Sequence, residues 1–476
     1  MNNRSNTYLA EAPVRKLIVQ FSVPCILSLL VSSLYNIVDQ IFIGRGVGYL
    51  GNGATNVVFP ITVIALALAL MIGDGCAAYL SICQGMGDKE RSHRSVGNAI
   101  MAFLLVSIVL TALFAFGRET ILSIFGATEN NIDYAREYFD IILIGIPFYI
   151  ITNGMNSIIR ADGSPQFAMF STLIGCILNI ILDPIAIFVL HWGVRGAALA
   201  TIAGQIVSFC FSFYYLFHTK SFRLSRDSFR PNADILRHIL PLGISSLLTQ
   251  LSIVVIMGVM NSTLVKYGAL SEYGADIPMT VMGIVMKVFQ IVIAFVVGIA
   301  AGCQPIVGYN FGAGNIKRVK EIFRDMMIAE VVIGVVATLL FELFPVQIIS
   351  LFGSESDLYK QFAVYAFRIF LSAMVLCCVQ KSTSIFLQSL GKPVHSMALS
   401  LLREFVLSVP LVLLLPQFHD LGVLGPLYSG PIADVISCTV AVIMVLSVLG
   451  RLSSSGEEEQ ASSGQTLAGE FSTTAE

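Results

Sequence analysis

Polar side chains that could bind a cation lie inside apolar stretches of the first half of the sequence. Asn179 and Asp183 stand four residues apart in the segment LNIILDP, so a helix presents both on one face. Pro184 follows them, and its ring leaves the carbonyl oxygen of residue 180 without its usual helical donor. Such oxygen ligands suit a hard cation such as Na⁺, while the carboxylates could instead take a proton.

Other polar side chains of the same half can reach this point if their helices pack together. Asp39 lies in the first apolar stretch, and Thr201 and Gln205 stand four residues apart in the sixth. An ionised group at mid-membrane costs about 3 kcal/mol on insertion scales, so two lone aspartates require an explanation. Hydrogen bonding between helices is the alternative for the single amides and hydroxyls. We predict a Na⁺ or H⁺ site, with these candidate Na⁺ ligands: Asp39, Asn179, Asp183 and Thr201.

Three further amides of this half belong to the same polar cluster: Asn36 in the first stretch and Asn153 and Asn156 in the fourth. Asn36, Asn153 and Gln205 could also line a cavity beside the site. The second half has no such cluster, because Leu407 and Leu411 occupy the repeat positions of Asn179 and Asp183. It carries charges of both signs within apolar stretches: Lys287, Lys381, Arg403, Glu404 and Asp434. We expect this set to form buried ion pairs, either along a cavity or without any further role.

The composition indicates a membrane protein. Hydrophobic residues make up 56% of the 476 residues and charged residues 12%, whereas soluble domains carry about 25% charged residues. The net charge of −2 gives no reason to expect a nucleic-acid partner. The nine cysteines lie in apolar runs without metal-ligand spacing, so we expect no cofactor other than a coupling ion. The six histidines fall at or near loops, which disfavours an intramembrane enzyme.

A helix needs about 20 apolar residues to cross a membrane. Apolar stretches of that length predict twelve spans, which are numbered here in chain order. They are residues 17–43, 54–83, 96–116, 136–159, 166–190, 194–217, 236–264, 278–309, 323–344, 359–389, 394–415 and 421–449.

The two halves resemble each other in sequence. Gly75-Cys76 and Gly302-Cys303 begin similar segments at an offset of 227 residues. Six spans in each half give both halves the same orientation, so the repeats are parallel. The predicted division is a first lobe (1–217), a linker (218–238), a second lobe (239–450) and a disordered tail (451–476).

Lysine and arginine set the predicted orientation. With the amino terminus inside, the inner segments carry 18 Lys and Arg and the outer loops carry 6. By the positive-inside rule, both termini are cytoplasmic.

The segment LNIILDP, followed by GVRGAA at residues 193–198, resembles the multidrug and toxic compound extrusion family. The similarity covers roughly residues 10–450 and is strongest to a bacterial branch with a polar cavity in the first half. It implies an all-α integral membrane protein of twelve transmembrane helices, in two parallel six-helix repeats that form a V-shaped cavity. Such a protein, here expected to be a monomer of the bacterial inner membrane, exports amphipathic cationic compounds in exchange for Na⁺ or H⁺. The resemblance assigns the coupling site to Asp39, Asn156, Asn179, Asp183 and Thr201.

A flippase of lipid-linked oligosaccharides is the nearest alternative. It would favour a strongly cationic cavity for a pyrophosphate group, and Lys287, Lys381 and Arg403 are consistent with that. Asp39 and Asp183 argue against it, because acidic groups would repel such a substrate.

Overall fold

The structure is a computed structural model that describes residues 4–350, 356–418 and 421–472. These residues form helices and contain no β-strand. Eleven helices are long and apolar enough to cross a membrane, and one pair bent by 46° raises the number to twelve. The prediction of an all-α transmembrane architecture is thereby confirmed.

The observed spans follow the predicted order. Those of the first half are Val14–Gly46, Tyr49–Met86, Lys89–Ile124, Ile132–Ala161, Pro165–Pro184 and Gly193–Tyr215, here called spans 1 to 6. Spans 7 to 10 are Ala233–Gly268, Asp276–Gly312, Ile316–Leu343, and the bent pair Asp357–Phe370 with Met374–Ser389. Span 11 consists of Pro393–Leu401, Leu402–Ser408 and Val409–Leu414, and span 12 of Gly425–Ser472. Five short helices connect or precede them: Arg4–Glu11, Arg226–Phe229, Pro345–Ser350, Leu415–Gln417 and Gly422–Leu424.

Two spans contain a π-helical segment with wider turns than an α-helix. Span 5 continues after Pro184 as the π-helix Ile185–Val189, and span 11 contains the π-helix Leu402–Ser408. Short π-helical segments occur frequently at functional sites. The first begins two residues after Asp183, and the second includes Arg403 and Glu404.

The segment between the two halves folds against the first half. The carboxylate of Asp162, just after span 4, accepts hydrogen bonds from the backbone N–H groups of Lys220 and Ser221, each at 2.7 Å. Asn98 of span 3 accepts the backbone N–H of Asn232 at 2.8 Å. We call the side of the bundle that carries this segment, residues 218–232, the linker side.

Span 7 begins earlier than predicted. It starts at Ala233, inside the predicted linker 218–238, because Asn232 caps the helix by accepting the backbone N–H of Asp234 at 2.9 Å. The disordered tail at 451–476 stays a prediction. The helix that begins at Gly425 is described as far as Ser472, and residues 473–476 lie outside the described part of the chain.

The close contacts between the lobes lie on the linker side. A Cβ atom added at Gly243 of span 7 would stand 1.7 Å from the carbonyl oxygen of Met71 in span 2. One added at Gly302 of span 8 would stand 2.7 Å from the Cα of Ser22 in span 1. Away from the linker, a Cβ at Gly258 of span 7 would meet nothing within 4 Å. The lobes therefore form a V that opens on the side opposite the linker.

A hydrophobic cluster joins the two lobes at the closed end of the V. Leu17 and Phe21 of span 1 pack with Ile299 and Ile306 of span 8, and all four are buried. Each lobe also has its own cluster of buried apolar side chains. The first half of span 1 thus packs against the second lobe.

Candidate cation site

A buried polar site lies in the first lobe between spans 1, 5 and 6. Asp183 of span 5 is fully buried, and Asn179 one turn earlier donates from Nδ2 to its Oδ1 at 3.3 Å. With the amide rotated, Nδ2 donates to Asp183 Oδ2 at 3.0 Å and the amide oxygen accepts from Thr201 Oγ1 at 3.2 Å. We adopt this second orientation, because it satisfies both ends of the amide.

The carboxyl group of Asp39 completes the site from span 1. It lies within hydrogen-bonding reach of Asp183, and its Oδ1 is buried without any hydrogen-bond partner. Two ionised carboxylates this close together in a buried site repel each other. A bound Na⁺ or a shared proton would relieve that repulsion, and Asn179 and Thr201 supply the neutral oxygens that a Na⁺ ion requires.

The structure adds one side chain that the sequence did not indicate. The hydroxyl of Tyr138 on span 4 contacts Thr201 and lies within electrostatic reach of Asp39 and Asp183. A tyrosine in an apolar span is ordinary, so no sequence signal distinguishes this one.

Asn156 is not part of this cluster, contrary to the site set taken from the family resemblance. Its Nδ2 donates to Thr172 Oγ1 at 3.0 Å. Thr172 precedes Asn179 by seven residues on span 5, which corresponds to about 10 Å along the helix. A direct contact between Asn156 and the aspartates is therefore excluded in this arrangement.

Among the described residues, no hydrogen bond joins the other candidate amides to this cluster. Asn36 donates to the carbonyl oxygen of Ser32 at 2.7 Å, and Asn153 to that of Tyr149 at 2.8 Å. Both bonds stay within one helix, one turn back. The Oε1 atom of Gln205 is buried without a partner, one turn after Thr201 on span 6.

The charged groups of the second half form a compact ion-pair network. Lys381 Nζ lies 2.8 Å from Glu404, and Arg403 lies 2.9 Å from Glu404 and 2.7 Å from Asp434. These four side chains are nearly inaccessible, so each charge is balanced within the protein. The prediction of buried ion pairs is confirmed for these four residues.

Lys287 does not belong to that network. It is exposed and lines a cleft of about 420 Å³ on the open side of the V. The cleft lies between spans 1, 2 and 8 and is lined by Ile37, Gln40, Ile41, Gly44, Arg45, Asn52 and Lys287. The sequence placed Lys287 among the ion pairs only because it too is a charge within an apolar stretch.

Glu330 is a buried acid that the sequence analysis overlooked. It lies in the middle of span 9, with no measurable exposure. A signal was present, because Glu330 is the only charged residue in the stretch MMIAEVVIGVV.

Comparisons with known proteins agree with this architecture. The MatE family model matches residues 24–185 and 247–414. The chain is 26% identical over 463 residues to "Multidrug export protein MepA" of Staphylococcus haemolyticus (95% of this chain, 98% of that protein). It is 25% identical over 462 residues to the protein of the same name from Staphylococcus aureus (strain MSSA476), with the same coverage.

A solved structure entitled "Outward-facing conformation of a multidrug resistance MATE family transporter of the MOP superfamily" superposes with a TM-score of 0.88. It is 25% identical, and the match covers 95% of this chain and 99% of that one. Because the family model matches more than half of the chain, the chain belongs to the multidrug and toxic compound extrusion (MatE) family of transporters.

Proposed function

We propose that this protein is a secondary active antiporter that exports amphipathic, cationic organic compounds in exchange for inward movement of Na⁺ or H⁺. One observation carries the proposal: Asp39 and Asp183 lie together in a buried site without a basic partner among the described residues. Such a site favours a bound cation, because the carboxylates repel each other when it is empty. The names of the relatives, multidrug export proteins, support export as the direction of transport.

Span 1 links the cation site to the contact between the lobes. It carries Asp39 in the first lobe and, 17 residues earlier, Ser22 against Gly302 of the second lobe. That separation corresponds to about 25 Å of helix, with Pro24 between the two points. Cation binding at Asp39 that shifts or bends span 1 would therefore act on the closed end of the V.

The linker side is the cytoplasmic side in this proposal. The segments on that side carry 18 Lys and Arg against 6 on the other, as the positive-inside rule requires. The V then opens to the exterior, ready to release a compound and to admit a cation. We expect a monomer in a bacterial inner membrane, in which the exposed leucines and phenylalanines of the outer helices face lipid.

A flippase for lipid-linked oligosaccharides is less well supported. Lys381 and Arg403 are neutralised by Glu404 and Asp434, so they offer no free charge to a pyrophosphate. Lys287 and Arg45 remain in the open cleft, and Arg45 lies on span 1, which also carries Asp39 of the acidic cation site.

Efflux from proteoliposomes under separately imposed Na⁺ and pH gradients tests the proposal. The wild-type protein is expected to move a cationic dye against its gradient with one of the two driving ions. Asp183→Asn is expected to lose this gradient-driven transport, whereas Glu129→Gln, an exposed acid of the first lobe, keeps it. Wild-type rates in Asp183→Asn would refute the assigned site, and efflux that ignores both gradients would refute antiport.

A further inference from the structure

Glu330 is buried in a way that no other described acid of the second lobe shares. Its side chain has no measurable exposure, and neither of its carboxyl oxygens has a hydrogen-bond partner. By contrast, the buried acids Glu404 and Asp434 each pair with a basic group at 2.9 Å or less. Nothing in the site between Asp39 and Asp183 involves Glu330.

The surroundings of Glu330 leave no place for an ionised carboxylate. The hydroxyl of Ser382 on span 10 lies beside it and is itself buried without a partner. The titratable groups that face it are the thiols of Cys303 on span 8 and Cys378 on span 10. A bare carboxylate here would lose its hydration without gaining a counterion or donors.

Charged groups on the neighbouring helices are engaged elsewhere. Asp434 of span 12, which lies near Cys378, is bound by Arg403 at 2.7 Å. Asp325, earlier on span 9, pairs with Arg15 of span 1 at 3.3 Å and with Arg324 at 2.9 Å. No basic side chain of the described residues therefore compensates a charge on Glu330.

A proton fits this site better than a metal cation. Hard cations take about six oxygen ligands, whereas Glu330 and Ser382 together offer three oxygens. A protonated carboxyl is neutral, and its O–H group can turn toward the Ser382 hydroxyl. The occupant that the geometry accommodates is thus a single hydrogen ion on a carboxyl oxygen.

Glu330 lies directly behind the contact that closes the V. Cys303, which faces Glu330, follows Gly302, whose backbone packs against Ser22 of span 1. The hydroxyl of Ser22 also donates to the carbonyl oxygen of Ile299 on span 8 at 3.3 Å. Separation of span 1 from span 8 would uncover Cys303 and admit water from the linker side toward Glu330.

We propose that Glu330 is a second proton-binding site, which must be protonated for the lobes to close on the linker side. When span 1 moves away, the O–H bond of the carboxyl group breaks, the proton leaves with an entering water molecule as hydronium, and further water molecules hydrate the carboxylate. Closure reverses the step, because Glu330 takes a proton from the linker side before water is expelled. High pH on that side therefore favours the open arrangement. This proposal rests on the proposed function only for the idea that the lobes alternate.

Hydrogen–deuterium exchange of residues 15–26 measures the opening of this contact. All variants carry Asp39→Asn and Asp183→Asn, so that the first-lobe carboxyls contribute nothing, and variants are compared at equal pH. Each exchange rate is divided by that of the unprotected amide at the same pH, because base catalysis alone makes exchange faster as pH rises. With the control Glu321→Gln, an exposed acid on the same helix, this corrected exchange is expected to rise with pH. The ratio of open to closed molecules rises by up to about tenfold per pH unit, the limit for one proton. With Glu330→Gln, a neutral mimic of the protonated acid, the corrected exchange is expected to stay low at every pH.

A rise of the corrected exchange with pH that persists in Glu330→Gln would overturn the proposal, as would a control in which the corrected exchange does not rise. Infrared difference spectroscopy provides a second readout in the same background. The carbonyl band of a protonated carboxyl group is expected in Glu321→Gln and in Glu330→Asp, and is lost in Glu330→Gln. Retention of that band in Glu330→Gln would likewise refute the site. Neither measurement involves transport, so failure of the proposed antiport would appear separately.

Discussion

A measurement of thermal stability shows whether the site of Asp39 and Asp183 binds Na⁺ or a proton. A ligand that binds the folded state raises its stability by mass action. If the site binds Na⁺, increasing Na⁺ raises the Tm of the compound-free protein until the site is saturated, and K⁺ raises it less because it is larger. A hundredfold excess over Kd corresponds to about 2.7 kcal/mol. If it binds H⁺, Na⁺ changes nothing and efflux follows the pH gradient alone.

The double variant Asp39→Asn with Asp183→Asn serves as the control for this experiment. Without the two carboxylates, the stabilisation by Na⁺ should disappear, while Glu129→Gln should retain it. A Na⁺-dependent rise in Tm that survives in the double variant would place the ion at another site.

Glu404 is expected to matter for stability rather than for ion dependence. Its carboxylate bridges Lys381 and Arg403 at 2.8 and 2.9 Å; Glu404 and Arg403 are buried, and the Lys381 side chain is only 12% exposed. Removal of one partner from a buried ion pair typically costs about 3–5 kcal/mol. Glu404→Gln should therefore lower the free energy of unfolding by several kcal/mol in denaturant titrations. The dependence of transport on the Na⁺ or pH gradient should stay close to that of the wild type in the Glu404→Gln variant.

Glu342→Gln provides the matched comparison within the same lobe. Glu342 pairs with Arg368 at 3.7 Å, and both side chains are substantially exposed. An exposed pair contributes about 0–1 kcal/mol. Equal destabilisation by the two substitutions would contradict the distinction between a buried network and a surface pair.

The sequence predicted those site residues whose chemistry is unusual for a membrane helix. Asp39, Asn179 and Asp183 could be recognised because a lone carboxylate in an apolar stretch needs a partner, and helical spacing put two on one face. Tyr138 could not, since its residue type is common in spans. Asn156 was assigned to the site by the family resemblance, which does not fix the depth at which the neighbouring helices of this chain cross.

The linker acts as part of the first lobe, and Asp162 holds it there. Asp162 accepts two backbone N–H groups of the linker and the hydroxyl of Tyr215, the last at 2.6 Å. Loss of these bonds should free a segment rich in Lys and Arg. Asp162→Ala is therefore expected to be cut by trypsin in residues 218–232 several times faster than the wild type.

Asp227→Ala is the control for that measurement. Asp227 lies in the same linker but makes only an exposed pair with Arg230 at 3.2 Å. Cleavage should therefore remain at the wild-type rate. Equal acceleration in both variants, or none in Asp162→Ala, would show that Asp162 does not hold the linker.

The spans themselves were predictable because hydropathy and length define them, but their irregularities were not. Span 10 bends by 46° between Phe370 and Met374, and the π-helical segments after Pro184 and at Leu402–Ser408 have no hydropathy signature. These features depend on which backbone carbonyl oxygen accepts the hydrogen bond of each N–H group. Neighbouring helices and local polar groups determine that acceptor, so the sequence of a single span does not predict it.

The closed end of the V combines close backbone packing with polar bonds between the lobes. Asp74 of span 2 accepts a hydrogen bond from Ser246 of span 7 at 2.8 Å and one from Ser157 of its own lobe at 2.6 Å. The glycines nearby let the helix backbones approach each other, as in other membrane helix pairs. Alternation of the V requires that this whole contact can form and separate.

Gly243→Ala tests whether close packing at this contact sets the balance between the two arrangements. A methyl group at Gly243 would stand 1.7 Å from the carbonyl oxygen of Met71, so the helices must move apart. Overpacking of this kind typically costs about 1–3 kcal/mol, which corresponds to a population shift of about 5- to 150-fold. The shift favours separation on the linker side, which exposes Cys303 and other thiols buried there. We therefore expect more thiols of purified Gly243→Ala than of the wild type to react with a water-soluble maleimide.

Gly258→Ala serves as the control for this experiment. It lies on the same helix but has open space around the added methyl group, so it should be labelled to the same extent as the wild type. Equal labelling of all three proteins would mean that the contact at Gly243 does not limit the opening of the lobes.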